Sequence, residues 1–197
     1  MDLAGDVNLD NEKRKRWNDI AYSFLDFTKN DSLIRRNLYV IGINNANLTR
    51  FDRLRENARD LSDLSIKSNN EKSTADSYKL RGLYFMYKSE NEKAVECFYK
   101  AKKIFLKLKA YRRLIAINKD IAQVQNFSND FLGSNKTLFE NLKKIKKELE
   151  LNGDSSKTLN PDLFRNYTAI ASNFASLNDY RSSILFEKRL SNMPITN

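Results

Sequence analysis

Residues Tyr78-Lys79-Leu80-Arg81-Gly82-Leu83-Tyr84-Phe85 and Ala94-Val95-Glu96-Cys97-Phe98-Tyr99-Lys100-Ala101 decide the fold. Both segments carry apolar residues at three- and four-residue steps, the period of an amphipathic helix. The first sets Gly82 between two aromatic positions, Tyr78 and Phe85; the second sets Phe98 between Ala94 and Ala101. Small residues let two antiparallel helices approach closely, and the aromatics Tyr78, Phe85 and Phe98 fill the wedge between one helix pair and the next. Such a pair cannot bury its apolar faces by itself, so units of the same kind must flank it.

Spacing supports that expectation. Forty residues beyond Gly82 stands Ala122, beyond Ala94 stands Ser134, and beyond Phe98 stands Leu138. Ala101 leads to Asn141, a departure. Backwards, Gly82 leads to Gly42, whereas Ala94 leads to Leu54, too large for a close helix contact. Further on, Ile170-Ala171-x2-Phe174 repeats the first-helix pattern, and Asn178-Asp179-Tyr180-x2-Ser183 repeats Asn129-Asp130-Phe131-x2-Ser134 at a distance of 49 residues. The extra length falls at Asn152-Gly153-Asp154-Ser155-Ser156, the strongest linker in the chain.

The periodicity predicts about nine helices. The first spans Asn11–Thr28 behind the run Lys13-Arg14-Lys15-Arg16, with Trp17, Ile20, Ala21 and Phe24 on its apolar face. Asp31 caps a second, to about Asn45, with Leu38, Ile41 and Gly42 facing inward. A third, Leu48–Lys67, carries Phe51, Leu54, Ala58, Leu61 and Leu64, and Ser68-Asn69-Asn70 breaks it. Thr74–Lys88 then pairs with Glu92–Leu108, and Tyr111–Phe127 with Asp130–Leu151. Pro161 opens a helix to about Leu177, where its missing N–H costs nothing, and Asp179–Ser191 pairs with it. The expected division is residues 1–70 as a degenerate repeat or cap, 71–151 as two repeats, 152–160 as linker and 161–197 as a C-terminal repeat.

Composition agrees. The chain has 197 residues with five Gly and two Pro, well below average usage of about 7% and 5%, and strict apolar–polar alternation is absent. An all-α protein follows. There is no His, which excludes a Ser-His-Asp triad, a Cys-His dyad and a His-ligated zinc site. The lone Cys97 permits no intramolecular disulfide. Paired carboxylates, a Gly-rich phosphate loop and metal-ligand spacing are also missing. The expectation is a non-enzymatic protein without metal or cofactor. The N-terminal residues lack the apolar run of a signal peptide, and no stretch approaches the roughly 18 apolar residues needed to cross a bilayer. A cytoplasmic location is therefore expected.

The Tyr78–Ala101 pattern and its two weaker copies resemble the tetratricopeptide repeat (TPR) superfamily. More finely, Asn30-Asp31-Ser32-Leu33, Tyr78-x3-Gly82-Leu83-Tyr84-Phe85, Lys100-Ala101-Lys102-Lys103-Ile104-Phe105 and Gln125 through Gly133-Ser134 resemble TPR regions of bacterial sensor histidine kinases and helix-turn-helix regulators. Neither a kinase nucleotide motif nor a phosphate-carrying His is present. The resemblance implies a TPR-like α-solenoid of antiparallel helix pairs wound into a right-handed superhelix. It implies that first helices line a concave groove that binds a peptide or protein segment. The groove-facing residues are then Asp76, Lys79, Leu83, Met86 and Tyr87, followed by Lys119, Gln123, Asn126 and Phe127, and by Arg165, Thr168 and Ser172. Lys79 and Lys119, 40 residues apart, would stack on one ridge. Some TPR domains clamp a C-terminal carboxylate with a Lys and a neighbouring Asn; here the Asn positions hold Leu83 and Gln123, so that clamp is incomplete.

Charge marks a second surface. The chain carries a formal +10. Residues 97–149 hold 13 Lys or Arg against 4 Asp or Glu, a net +9. Lys100, Lys103 and Lys107 share a face of one second helix, and Lys136, Lys143 and Lys147 of the next, so the implied position is convex, away from the groove. Aromatics are not expected among these lysines, which weakens single-stranded nucleic-acid binding. Three functions follow: a protein-interaction module, the sensing region of a signal-transduction or transcription regulator, and electrostatic association with nucleic acid or an acidic or membrane surface through residues 97–149. A second copy of the chain is a further candidate partner.

Overall fold

The computed structural model describes residues 10–152 and 160–192. Among them are nine α-helices, a 3-10 turn and no strand: α1 (Asn11–Ser23), the turn Phe24–Phe27, α2 (Asp31–Asn47), α3 (Phe51–Lys67), α4 (Glu71–Tyr87), α5 (Asn91–Lys107), α6 (Tyr111–Phe127), α7 (Phe131–Asn152), α8 (Asn160–Ser176) and α9 (Tyr180–Ser191). The chain is a helical-repeat protein of packed helix pairs. The linker expected at 152–160 falls on residues 153–159, outside the described residues.

Its regularity exceeds what the side chains announce. Helices α2 to α6 each have 17 residues and begin every 20 residues. A helix pair thus repeats every 40, six more than the 34-residue TPR unit. The connectors have three residues, and the middle one has positive φ each time: Thr49, Asn69, Ser89, Lys109, Asn129 and, near the C-terminus, Asn178. The third connector residue donates its N–H five residues back, as Arg50 does to the Asn45 carbonyl, Glu90 to Phe85, Ala110 to Phe105 and Asp179 to Phe174. This is the Schellman closure of a helix, built six times without glycine. Where the third residue is polar and short, it also caps the next helix. Asn30 Oδ1 accepts from the Leu33 N–H, Asn70 Oδ1 from Ser73, and Asp179 Oδ1 from Ser182.

The cap of α2 is therefore Asn30, with Asp31 in the first turn, where its charge suits the helix dipole. The first helix stops at Ser23 because the chain tightens into the 3-10 turn; Leu25 points inward while Phe24 and Phe27 face solvent. Residue Leu48, expected within α3, lies in the connector and is buried. Pro161 falls in the first turn of α8.

The chain divides into two compact units, residues 1–104 and 105–197, with the division inside α5. In the first, Leu38, Ile41, Leu54, Ala58, Leu61, Ala75 and Leu80 are buried. Gly42 sits against Leu80: a Cβ there would lie 2.6 Å from Leu80 Cδ1. Gly82 sits against the Phe98 ring, which a Cβ would overlap. Phe98, Ala94 and Ala101 are fully buried, as the opening pattern requires. A buried polar network ties α1, α2 and α3: the Asn18 amide donates to Ile41 O and Asn45 Oδ1, and the Asn45 amide to Asn57 Oδ1.

In the second unit, Ala122, Leu138, Leu142, Ile170, Ala171 and Phe186 form the core, with Tyr167 and Phe174 against it. Ile115 and Ile145 pack beside Leu163. The departure at Asn141 has a structural reason. It is fully buried, and its amide donates to Ile115 O at 3.1 Å and Asn166 Oδ1 at 3.3 Å, while Asn118 donates to Asn141 Oδ1. A ladder of amides thus joins α6, α7 and α8 where the first unit joins α1, α2 and α3.

Candidate functional site

The expected groove residues separate into buried and exposed sets. Helix α4 packs on both α2 and α3, and nine of its residues are buried. Leu83 and Met86 belong to the interior, and Lys79 is only 7% exposed. Asp76, one turn before Lys79, is buried as well. Lys79 and Lys119 each already have a hydrogen-bond or electrostatic partner, so neither is an open ammonium. Lys119 and Asn126 are half-buried. Tyr87 is at the surface, its ring stacked 5.2 Å from Phe51. Gln123, Phe127, Thr168 and Ser172 face solvent. Arg165 also faces solvent and lies 3.8 Å from Asp162.

All six lysines of the basic face are exposed. Lys100 pairs with Glu96 at 2.5 Å and rests over the Tyr78 ring. Lys147 rests over Tyr111, 5.3 Å from the ring centre. On α7, Lys136 and Lys143 border a cleft of about 480 Å³ whose other walls include Leu132, Phe139, Glu140 and Phe174. The expectation that no aromatic stands among these lysines is corrected here. Tyr99 and Phe139 are exposed beside them, with Lys102 over the Tyr99 ring, because the helical step of three to four brings Phe139 between Lys136 and Lys143.

A further site lies in the first unit. Side chains of α3 and α4 border a cleft of about 440 Å³ lined by Arg55, Ala58, Arg59, Ser62, Asp63, Arg81, Tyr84 and Phe85. Its formation follows from local sequence. Arg55 and Arg59 are four residues apart on α3, and Arg81 and Phe85 four apart on α4, so each pair projects from one helix face. Phe85, expected to fill the wedge between helix pairs, instead forms the cleft floor with Tyr84; the two rings meet edge-on at 5.5 Å. The Lys93 ammonium covers Phe85 at 5.6 Å and is paired with Glu90.

The cleft arginines are loosely held. Arg55 reaches Asp52 only at 4.0 Å. Arg59 meets Asp60 at 3.4 Å, and Asp60 is already engaged, its Oδ2 accepting the Tyr22 hydroxyl at 2.6 Å. Among the described residues no carboxylate comes within ion-pair distance of Arg81; its field is felt at Glu96. By contrast Arg50 and Arg53 are tightly paired, with Asp19 at 2.7 Å and Glu56 at 2.9 Å. Cys97 is buried, and burial pushes its thiol pKa up against the weaker pull of Arg81, so it remains a protonated thiol at neutral pH.

The sequence reading did not find this cleft. Its signal was present in the spacing of Arg55 and Arg59, but it acquires meaning only once the antiparallel register of α3 and α4 is known.

Two solved structures share the fold. BtubC (BKLC) from P. vanneervenii aligns over 95% of this chain and 77% of its own, with TM-score 0.69 and 12% identity. The apo form of RapI aligns over 94% of this chain, with TM-score 0.58 and 15% identity, and this chain spans 61% of RapI's length. At these identities the likeness is one of fold. No family model matches the chain, and no curated protein matches it in sequence.

Proposed function

We propose that this chain is a helical-repeat interaction module that binds a protein segment along its first helices and catalyses no reaction. One observation carries the reading. The helix pairs are locked by buried cores, amide ladders and six identical closures, yet first helices α6 and α8 hold out Gln123, Phe127 and Arg165 to solvent. Rigid elements with exposed, mixed polar and aromatic side chains suit recognition.

The test places a photo-crosslinking amino acid at Gln123 and at Arg165, with Ile66, an exposed residue of α3, as the control position. Protein-sized adducts from Gln123 and Arg165 but not from Ile66 are expected in the native cell. Equal labelling at all three positions, or at none, sinks the reading.

The α7 cleft favours a second reading. Lys136 and Lys143 beside exposed Leu132 and Phe139 suit an acidic surface with an apolar component. Replacing Lys136, Lys143 and Lys147 with Glu should abolish retention on anionic vesicles or on DNA at low salt, where counterion release is strongest. No retention of the unmodified chain refutes it.

A further inference from the structure

We propose that the cleft between α3 and α4 is a docking site for an acidic peptide segment carrying one bulky apolar side chain. The inference rests on the interaction-module reading but concerns a different surface.

Three features point to that occupant. The first is charge. Arg55, Arg59 and Arg81 stand against a single lining carboxylate, Asp63, and none of the three is held as tightly as Arg50 or Arg53 nearby. Among the described residues Arg81 has no carboxylate within ion-pair distance, and Arg55 and Arg59 hold theirs only at 4.0 and 3.4 Å; guanidinium forks so loosely engaged suit carboxylates arriving from outside. The second is the floor. Ala58, Tyr84 and Phe85 present apolar surface beneath the cations, and a volume of about 440 Å³ accommodates a large side chain together with flanking backbone.

The third is what the cleft lacks. Every lining residue lies in the interior of a 17-residue helix, from the fifth residue of α3 to the fifteenth of α4, where backbone N–H groups are engaged within the helix. No helix N-terminal residue is among those lining the cleft, so the lining itself offers a compact phosphate none of the free N–H donors that usually cradle it. An extended chain with spaced carboxylates matches arginines spaced along two helices.

The register gives the site a direction. The stacked pair Phe51 and Tyr87 places the start of α3 beside the end of α4. Arg55, Arg59 and Arg81 therefore cluster at the middle and one end of the cleft, and Asp63 marks the other. A bound segment places its carboxylates at the arginine end and leaves the Asp63 end uncharged.

The experiment uses the full chain and a panel of fluorescein-labelled octapeptides. Each carries Asp and Glu around one Phe; companion peptides replace the acids with Asn and Gln, with Lys, or the Phe with Ala. Fluorescence anisotropy at 50 mM salt should show binding of acidic peptides, at least tenfold weaker binding of the amide and Ala versions, and none of the Lys version. Arg59→Glu and Arg81→Glu should each weaken the best acidic peptide at least tenfold. Both side chains are at the surface, so circular dichroism should show the fold retained. Asp63→Ser should tighten binding severalfold. Absence of binding across the acidic panel, equal binding of the amide peptides, or undiminished binding to Arg59→Glu overturns the proposal. So does a preference for a DNA oligonucleotide that competes off the peptide, which would make the site a general polyanion surface. Crosslinks at Gln123 and Arg165 without peptide binding here would end this inference and leave the module reading standing; peptide binding without those crosslinks would do the reverse.

Discussion

Gly82→Ala tests the central packing contact. On an exposed helix this change would stabilise by about 1 kcal/mol, since alanine forms helix more readily than glycine. Here the added Cβ would overlap Cε1 and Cδ1 of Phe98, with Cζ also close. Phe98 is fully buried, and its neighbours on α5, Ala94 and Ala101, are fully buried too, so the ring has no space into which to swing. Overpacking of this kind costs about 1–3 kcal/mol. The net is a loss of up to roughly 2 kcal/mol, which for a chain of this size lowers Tm by about 2–4 °C per kcal/mol. Gly82→Leu should go further and unfold the first unit. Differential scanning calorimetry reads the shift. Gly42→Ala serves as the graded comparison, because the atoms it meets are the terminal methyls of Leu80 at 2.6 and 3.0 Å, and a Leu terminus yields more easily than an aromatic ring. The double variant Gly82→Ala with Phe98→Leu should be more stable than the two single losses predict, since the pair is in direct contact. A Tm for Gly82→Ala at or above that of the parent would refute the close-contact reasoning.

Asn141→Leu removes a fully buried amide and leaves Asn118 and Asn166 without their shared partner; a loss of about 1–3 kcal/mol is expected, seen as faster hydrogen exchange across α6 to α8. Lys109→Gly relieves a left-handed lysine, and the gain, set against the greater freedom of glycine when unfolded, is roughly 1 kcal/mol by urea titration. The Tyr22 hydroxyl is pushed up to about 12, chiefly by desolvation and next by its hydrogen bond to Asp60. The folded state thus holds this proton more tightly than the unfolded chain. The associated stability is complete below pH 10 and is lost as pH rises from 10 towards 12, so Tyr22→Phe should flatten the alkaline limb of a melting curve in that window.

The scaffold was legible because packing leaves a compositional mark. Gly42 and Gly82 stand 40 residues apart and both sit under a neighbouring side chain; no other residue fits there without displacement, so the interval is visible in the letters. The connectors leave no such mark. Thr49, Ser89 and Lys109 adopt positive φ, yet none of them advertises that conformation as glycine would. The flanking helices impose it, which is why the letters place the starts of α3 and α4 three residues off, while the unforeseen 3-10 turn after Ser23 puts the end of α1 five residues off; the number of helices is legible all the same. Lys79 misled for a related reason. A lysine suggests solvent, and only the packing of α4 on two earlier helices shows it to be interior. The cleft arginines reversed the error: Arg55, Arg59 and Arg81 are unremarkable in sequence and converge only through the register of α3 and α4.

That reversal bears on where recognition can occur in the first unit. A first helix enclosed by α2 and α3 retains few outward side chains; beyond the first turn of α4, where Glu71 and Lys72 are exposed, they are Arg81 and Tyr87, with Thr74, Tyr78, Tyr84 and Phe85 half-covered. Arg81, Tyr84 and Phe85 line the α3/α4 cleft, and Tyr87 stacks on Phe51 of α3. The outward chemistry of the C-terminal half of α4 is thus directed towards α3. Substitutions that deepen the burial of α4, such as Ser77→Ala, should leave ligand binding unchanged, whereas a change in the angle between α3 and α4 should alter it. Lengthening their connector by one Gly at Asn69 supplies that change without touching a lining residue. It should weaken acidic-peptide binding while the second unit keeps its hydrogen-exchange protection. Retention of full affinity in the lengthened variant would show that recognition does not depend on the α3/α4 register.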